Sequence, residues 1–271
     1  MYCAVCDSSY DEDAKHCPKD GSKLVRLIEK RDPLIGQVLD GRFTIKDKLG
    51  AGGMGTVYRA LQHSVGREVA IKVIEPRLAR VKEVTKRFLR EMQLSSSLSQ
   101  PNTVTVLDFG QTEDGLLYLV MELLEGQSLD QIIEDSGALP ENRIIRIGIQ
   151  ICDALDAAQT LHIVHRDLKP GNVIILDKPP GRDMTKVLDF GIAKSLAGED
   201  SGITTMTRSD MILGTPSYIA PEAVTGGKID GRADLYSLGV MLYELATGTL
   251  PFKADTVNKM LASHTSERPA P

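Results

Sequence analysis

The sequence predicts an α+β chain in two lobes, a small antiparallel sheet with one helix and then a mainly helical region, preceded by a small cysteine-rich knob. Three observations predict it. Short β-type runs cluster between Phe43 and Met121, apolar residues take helical spacing after Gly126, and three of the four cysteines crowd into the first twenty positions. Strands gathered at one end and helices at the other form the α+β pattern.

The bulk composition sets the outer limits. A length of 271 residues suits one large two-lobed domain or two smaller ones. Apolar residues make up 42% and charged residues 25%, an ordinary globular balance. The 32 basic and 37 acidic residues leave a net charge of −5, which argues against general affinity for nucleic acid or anionic membrane. No apolar run approaches the ~20 residues that span a bilayer, and no signal-peptide pattern opens the chain. The expected location is the cytoplasm.

Residues 1–24 are short of apolar side chains, so a packed core there needs help. A charged connector, 25–40, follows and includes Glu29-Lys30-Arg31-Asp32-Pro33. Strands are predicted at Phe43-Thr44-Ile45, Thr56-Val57-Tyr58 and Val69 to Val73. Residues 80–98 have helical spacing, with Val84, Phe88, Leu89 and Met92 on one face. Strands near 103–108 and 116–121 complete the sheet. The stretch 142–161 predicts a buried helix, because Ile144, Ile145, Ile147, Ile149 and Ile151 are too dense for a surface one. Cys152 is read there as a small core residue. Short strands near 173–176 and 185–188 flank the turn Pro179-Pro180-Gly181. A Ser/Thr-rich loop over 195–217 precedes a helix at 233–246.

Gly50-Ala51-Gly52-Gly53-Met54-Gly55-Thr56-Val57 lies between two strands. Glycines let a backbone approach phosphate oxygens and aim N–H groups at them. A dinucleotide fold would need a helix next, whereas Thr56-Val57-Tyr58 continues as strand. Taken alone, a glycine-rich hairpin turn fits as well. Lys72 stands in the apolar strand Val69 to Ile74, and a buried ammonium needs an anion. Glu91, on the following helix, can supply one.

The strongest signal is His165-Arg166-Asp167-Leu168-Lys169-Pro170-Gly171-Asn172, followed by Asp189-Phe190-Gly191. Phosphoryl transfer needs a carboxylate that accepts the proton of the attacking hydroxyl, which suits Asp167. It also needs oxygen ligands for Mg²⁺, which suits Asn172 and Asp189. Lys169 can reach the transferred group. A second Leu-Asp-Phe-Gly string, Leu107 to Gly110, precedes the first one and leads into a hairpin turn, so Asp108 is read as structural.

With these strings in this order, the chain from about Phe43 onward resembles the eukaryotic-type (Hanks-type) protein kinase superfamily. It is similar to bacterial members through Gly52-Gly53-Met54-Gly55 and Val120-Met121-Glu122. The resemblance implies a bilobal protein kinase-like fold over 41–271, with lobes at 41–122 and 123–271, and transfer of the ATP γ-phosphoryl group to Ser or Thr hydroxyls. It implies that Leu49 and Gly50 to Val57 cover ATP, that Lys72 pairs with Glu91, and that Ala70, Met121 and Leu124 border adenine, with the backbones of Glu122 and Leu124 as contacts at the hinge between the lobes. Asn172 and Asp189 would hold Mg²⁺ (or Mn²⁺), and Asp234 would brace the catalytic loop. Lys169 and Thr215, whose hydroxyl is placed to bind Asp167 and Lys169, point to Ser/Thr rather than Tyr. Arg166 beside Asp167 suggests control by a phosphate on the 195–215 loop, with Thr204, Thr205, Thr207 and Ser209 as candidates. Autophosphorylation in trans, through a dimer, would follow. Ser95 takes a position the family usually fills with a larger apolar side chain. The last helices of the larger lobe, including the usual partner of Glu222, are not recognised. A non-catalytic kinase-fold scaffold is therefore the alternative.

In the knob, Cys3-x2-Cys6 and Cys17-x2-Asp20-Gly21 look like the two knuckles of a zinc ribbon, ten residues apart. In a reducing compartment such a cluster reads better as metal ligands than as disulfides. The fourth ligand is Asp20 or its rival His16. A redox-sensitive or disordered tail is the alternative.

Overall fold

The computed structural model describes residues 1–11, 14–25, 32–53, 55–74, 82–177, 183–190 and 216–269, with backbone only for Lys82 and Val84. Met54, Thr215 and the candidate phosphosites Thr204, Thr205, Thr207 and Ser209 lie outside them. The chain forms two compact units, Met1–Gln37 and Val38–Pro271.

The first unit holds strands β1 (Tyr2–Cys3) and β2 (Ser8–Ser9), paired antiparallel. Among its described residues the buried cluster is Cys3, Cys17 and Leu24, which matches the apolar poverty of residues 1–24.

In the second unit β3 (Val38–Leu39), β4 (Phe43–Gly52), β5 (Gly55–Gln62), β6 (Arg67–Ile74), β7 (Val106–Gln111) and β8 (Leu117–Glu122) form one antiparallel sheet in the order β3-β4-β5-β6-β8-β7. Helix α1 (Lys82–Ser95) packs Phe88 and Met92, both fully buried, on the core formed by Ala70, Ile74, Leu117 and Leu119. Of the predicted face, Leu89 packs against the same core.

The larger lobe opens with β9 (Gly126–Ser128), α2 (Leu129–Ser136) and α3 (Glu141–Thr160). Strands β10 (Val173–Leu176) and β11 (Thr185–Val187) pair with β9 in the order β11-β10-β9. Helices α4 (Pro221–Thr225), α5 (Gly231–Thr247) and α6 (Val257–Ser266) follow. The prediction for α3 is corrected in one respect. Ile147, Gly148, Ile151, Ala154, Leu155 and Ala158 face the core, but Ile145 and Ile149 are 52% and 57% exposed, and Cys152 is exposed rather than buried. The covered face packs on α5 and β11, with Gly148 admitting Leu242 Cδ2 to within 3.3 Å of where a Cβ would stand.

A short strap joins the two lobes. Val104 N–H donates to the Val187 carbonyl at 2.9 Å, and Val187 N–H donates to the Asn102 carbonyl at 2.8 Å. The buried Asn102 amide then donates to Gln150 Oε1 on α3 and to the Thr185 carbonyl, both at 2.9 Å. These bonds fix β11, and with it the start of Asp189-Phe190, against the sheet.

Candidate active site

The catalytic loop runs from α3 to β10 and is built on Asp234. This carboxylate is 3% exposed and accepts the N–H of His165 at 2.8 Å and of Arg166 at 2.9 Å. The second bond holds Arg166 at φ 68°, a left-handed conformation that a non-glycine residue adopts at a cost. His165 is fully buried. Its Nδ1 accepts from Asp167 N–H at 3.3 Å, so Nε2 carries the proton and donates to the Leu188 carbonyl at 2.7 Å. The ring also meets Phe190 edge-on at 4.9 Å.

This scaffold gathers the residues the sequence singled out. Lys169 Nζ lies 3.0 Å from Asp167 Oδ2. The Asn172 side-chain amide donates to the Asp167 carbonyl at 2.7 Å and to Oδ2 at 3.2 Å, which leaves its own oxygen for a cation. Leu188 N–H donates to the Asn172 carbonyl at 2.9 Å, setting Asp189 beside Asn172. Asp189 itself sits at φ 61°. An amide and a carboxylate oxygen are hard donors, the kind that Mg²⁺ or Mn²⁺ takes. Lys72, 7% exposed, reaches across to Asp189 with Nζ 2.5 Å from Oδ2. Glu91 is half-buried on α1, one turn before Ser95.

The nucleotide side is formed by the sheet. Ala70 and Met121 are register partners on β6 and β8, both buried, and Val57 and Leu124 pack against the same core. Leu49 stays 44% exposed at the rim. The glycine loop is instructive. Gly55 has φ 149°, and a Cβ there would fall 2.1 Å from the Val73 carbonyl oxygen, so the fold itself requires it. At Gly50, Gly52 and Gly53 a Cβ would meet no atom of the described residues within 4 Å, and none of the three takes a positive φ. Neither packing among the described residues nor backbone geometry demands glycine at those three positions. Glycine there leaves the loop backbone open to close approach by a ligand.

Two features were not legible beforehand. Lys186 on β11 donates to Glu122 Oε1 at 2.7 Å and to the Thr103 carbonyl at 3.0 Å, while Thr105 N–H donates to Glu122 Oε1 at 2.8 Å. Burial pushes the Glu122 carboxyl up, but Lys186 and Thr105 outweigh it and hold it below the usual range. The hinge side chain is thus clamped from the opposite lobe. The only sequence signal was a lysine between the buried Thr185 and Val187. Ser95, 6% exposed, donates its hydroxyl to the Phe190 carbonyl at 3.1 Å, so the small side chain makes a polar tie from α1 to the Asp189-Phe190 turn.

Asp108 is structural, as expected. It lies in β7 and takes a 2.6 Å ion pair from Arg42, which also binds Asp40 at 2.7 Å and the Tyr118 hydroxyl at 2.6 Å. Burial and the bond to Asp40 push the Tyr118 hydroxyl up to about 12.

In the first unit, Cys3, Cys6, Cys17 and Asp20 bring one ligand atom each within 4.8 Å of all the others. The two knuckles match. Asp7 N–H donates to the Cys3 carbonyl at 3.0 Å, and Gly21 N–H donates to the Cys17 carbonyl at 2.9 Å. The residue closing each turn is left-handed, Asp7 at φ 53° and Gly21 at φ 74°. Asp20 therefore occupies in the second knuckle the place of Cys6 in the first. His16 is exposed and is not part of the cluster.

The comparisons with known proteins agree with this geometry. The protein kinase domain family model matches residues 43–269. The serine/threonine-protein kinase pkn3 of Myxococcus xanthus is 41% identical over 240 residues, covering 89% of this chain and 44% of that protein. Pkn1 of the same organism is 37% identical across 99% of this chain and 39% of its own length. The chain thus spans less than half the length of these curated relatives. Among solved structures, a double mutant of the Mycobacterium tuberculosis PknI kinase domain superposes with a TM-score of 0.67 at 29% identity, covering 87% of this chain and 81% of that one. The chain belongs to the protein kinase domain family.

Proposed function

We propose that this chain is an ATP-dependent serine/threonine protein kinase. The observation that carries the reading is the arrangement around Asp167: Lys169 at 3.0 Å, the Asn172 amide on its carbonyl and Oδ2, and Asp189 set beside Asn172. Asp167 accepts the proton of a Ser or Thr hydroxyl, and Lys169 steadies the group in transfer. Asn172 and Asp189 hold Mg²⁺ or Mn²⁺, which neutralises charge on the phosphates. Lys72 holds the phosphates and pairs with Glu91 in the ATP-bound state, Gly50, Gly52 and Gly53 cover them, and Ala70, Met121 and Leu124 enclose adenine with the Glu122 and Leu124 backbones as polar contacts. Thr215 binds Asp167 and Lys169 from the acceptor side, and a phosphate in 195–215 pairs with Arg166. Acceptors are proteins, including a second copy of the chain during autophosphorylation. Among the described residues no helix is long and apolar enough to cross a membrane. ATP and a reduced thiol cluster together favour the cytoplasm.

The test is incubation with labelled ATP, Mg²⁺ and a basic protein acceptor beside an Asp167→Asn control, with phosphosites mapped by mass spectrometry. Loss of the proton acceptor should cut transfer by ~10²–10⁴-fold. Label on Ser or Thr from the wild type alone supports the reading, and equal label from both proteins overturns it.

The first unit is proposed to hold one structural Zn²⁺ through Cys3, Cys6, Cys17 and Asp20. Cys6 and Cys17 sulfurs are 3.4 Å apart, and Asp20 Oδ2 is 3.3 Å from Cys3 Sγ and 3.2 Å from Cys17 Sγ. Tetrahedral zinc with bonds of about 2.3 Å to sulfur sets its ligand atoms about 3.8 Å apart, a small adjustment. Asp20 is oriented for the task, because its other oxygen accepts Ser22 N–H at 2.9 Å. The purified chain should carry about one zinc by mass spectrometry, and cobalt in its place should show thiolate charge-transfer absorption. Asp20→Ala removes a ligand and should weaken the metal by more than the ~10–100-fold that loss of an outer-shell partner costs, while His16→Ala leaves it unchanged. A metal-free protein whose three thiols react freely would sink the site.

A further inference from the structure

Helix α5 serves two parts of the site at once. Asp234 in its first turn holds the catalytic loop, and the next turns hold the segment Pro216–Tyr218. Ser237 Oγ donates to the Tyr218 carbonyl at 2.7 Å, and the Tyr218 hydroxyl donates to Glu244 Oε2 at 2.5 Å. Burial and Glu244 both push that phenol far above its ordinary range, so it stays a donor.

The third tie involves α6. His264 is 4% exposed and edge-on to Phe252 at 4.9 Å and to Tyr236 at 5.7 Å. The Tyr236 hydroxyl lies 2.8 Å from Nδ1. With that hydroxyl donating, the neutral ring carries its proton on Nε2, which is buried and has no hydrogen-bond partner among the described residues. Burial lowers the ring's pKa, and the backbone of Ser217 and Pro216 opposes it. Pro216 has no N–H, so the group it presents to the ring is its carbonyl. A phenylalanine would fill the slot between Phe252 and Tyr236 without stranding a buried donor. The imidazole instead buries an N–H donor where α6 packs against Pro216–Tyr218.

We propose that His264 is a positioning residue for the protein acceptor: held by Tyr236 and packed with α6 against Pro216–Tyr218, it sets the height of that segment against the catalytic loop. This rests on the kinase reading above, in which Thr215, the preceding residue in the chain, meets Asp167 and Lys169 from the acceptor side. Because α5 anchors both the loop and the segment, a shift of the segment alters where the acceptor hydroxyl arrives. It leaves the nucleotide side, built on the sheet, as it is.

The test is steady-state kinetics on the full chain with ATP and a basic protein acceptor varied in turn. His264→Phe should raise the acceptor KM by ~10-fold and lower kcat several-fold, with the ATP KM within about two-fold of wild type, since misplacement of 1 Å costs up to ~10²-fold. His264→Gln, which restores an N–H near Nε2, should recover part of the loss. An unchanged acceptor KM in folded His264→Phe, or an ATP KM that rises in step, overturns the proposal. Should His264→Phe fail to fold, Tyr236→Phe carries the test, because it removes one hydroxyl and keeps the ring; an unchanged acceptor KM there is equally fatal. A wild type that transfers nothing overturns the kinase reading as well, whereas active wild type with an equally active His264→Phe overturns only this inference.

Discussion

Asp234→Ala is expected to cost both the fold and the chemistry. The substitution strands the buried N–H of His165 and the part-buried N–H of Arg166, which now bond a carboxylate at 2.8 and 2.9 Å. Bonds to a charged acceptor contribute roughly 1.5–3 kcal/mol each, so a loss of about 3–6 kcal/mol is expected. For a chain of this size that lowers Tm by roughly 6–24 °C. The carboxylate also holds Arg166 at φ 68°, and without it the loop can relax toward ordinary backbone and carry Asp167 out of line. Transfer should fall by at least ~10²-fold, the scale of a 1 Å misplacement. Asp234→Asn keeps one acceptor oxygen and should lie between the two. Calorimetry and single-turnover kinetics check both halves, and an unchanged Tm would mean that the catalytic loop stands without this brace.

Much of the candidate site was legible because the phosphoryl transfer proposed for it tolerates few residue types at the working positions. Asp167, Lys169, Asn172 and Asp189 stand in two short strings, and the structure draws them together through backbone bonds of the same strings. The twin Leu-Asp-Phe-Gly motifs were separable by chain order. Their backbones explain why: Asp108 continues a strand, while Asp189 turns at φ 61° just past one. The limits of apolar patterning show in α3. Its isoleucines predicted burial all round, yet helical geometry turns Ile145, Ile149 and Cys152 outward, because a helix meets its neighbours along one stripe. Lys186 and His264 were illegible for another reason. Their partners lie 64 and 28 residues away, and nothing local marks a lysine or histidine that will be buried against them. The placement of Asp20, rather than His16, beside the three cysteines also needed three dimensions, since it follows from the turn each knuckle makes and not from spacing alone.

Lys72→Met separates a working kinase from a kinase-fold scaffold. The two side chains are similar in length, and position 72 lies in the central strand β6, paired to Val57 on one side and Leu119 on the other. Methionine suits that apolar setting. The counter-charge left behind, Asp189, has a side chain 23% exposed and can be solvated, so stability should change by only about 1 kcal/mol and Tm by roughly 2–4 °C. Chemistry has no such cushion. An ammonium that is 7% exposed acts in a low dielectric, where one preorganised donor to a developing anion is worth ~10²–10³-fold in kcat. Lys72→Arg keeps the charge but replaces a compact ammonium with a planar fork that the strand leaves little room for, and it should rescue little. The expected pattern is therefore near-native melting with transfer cut by at least ~10²-fold in both variants. A protein that binds partners through this fold alone would show no difference between the wild type and either variant, because nothing on its surface has changed.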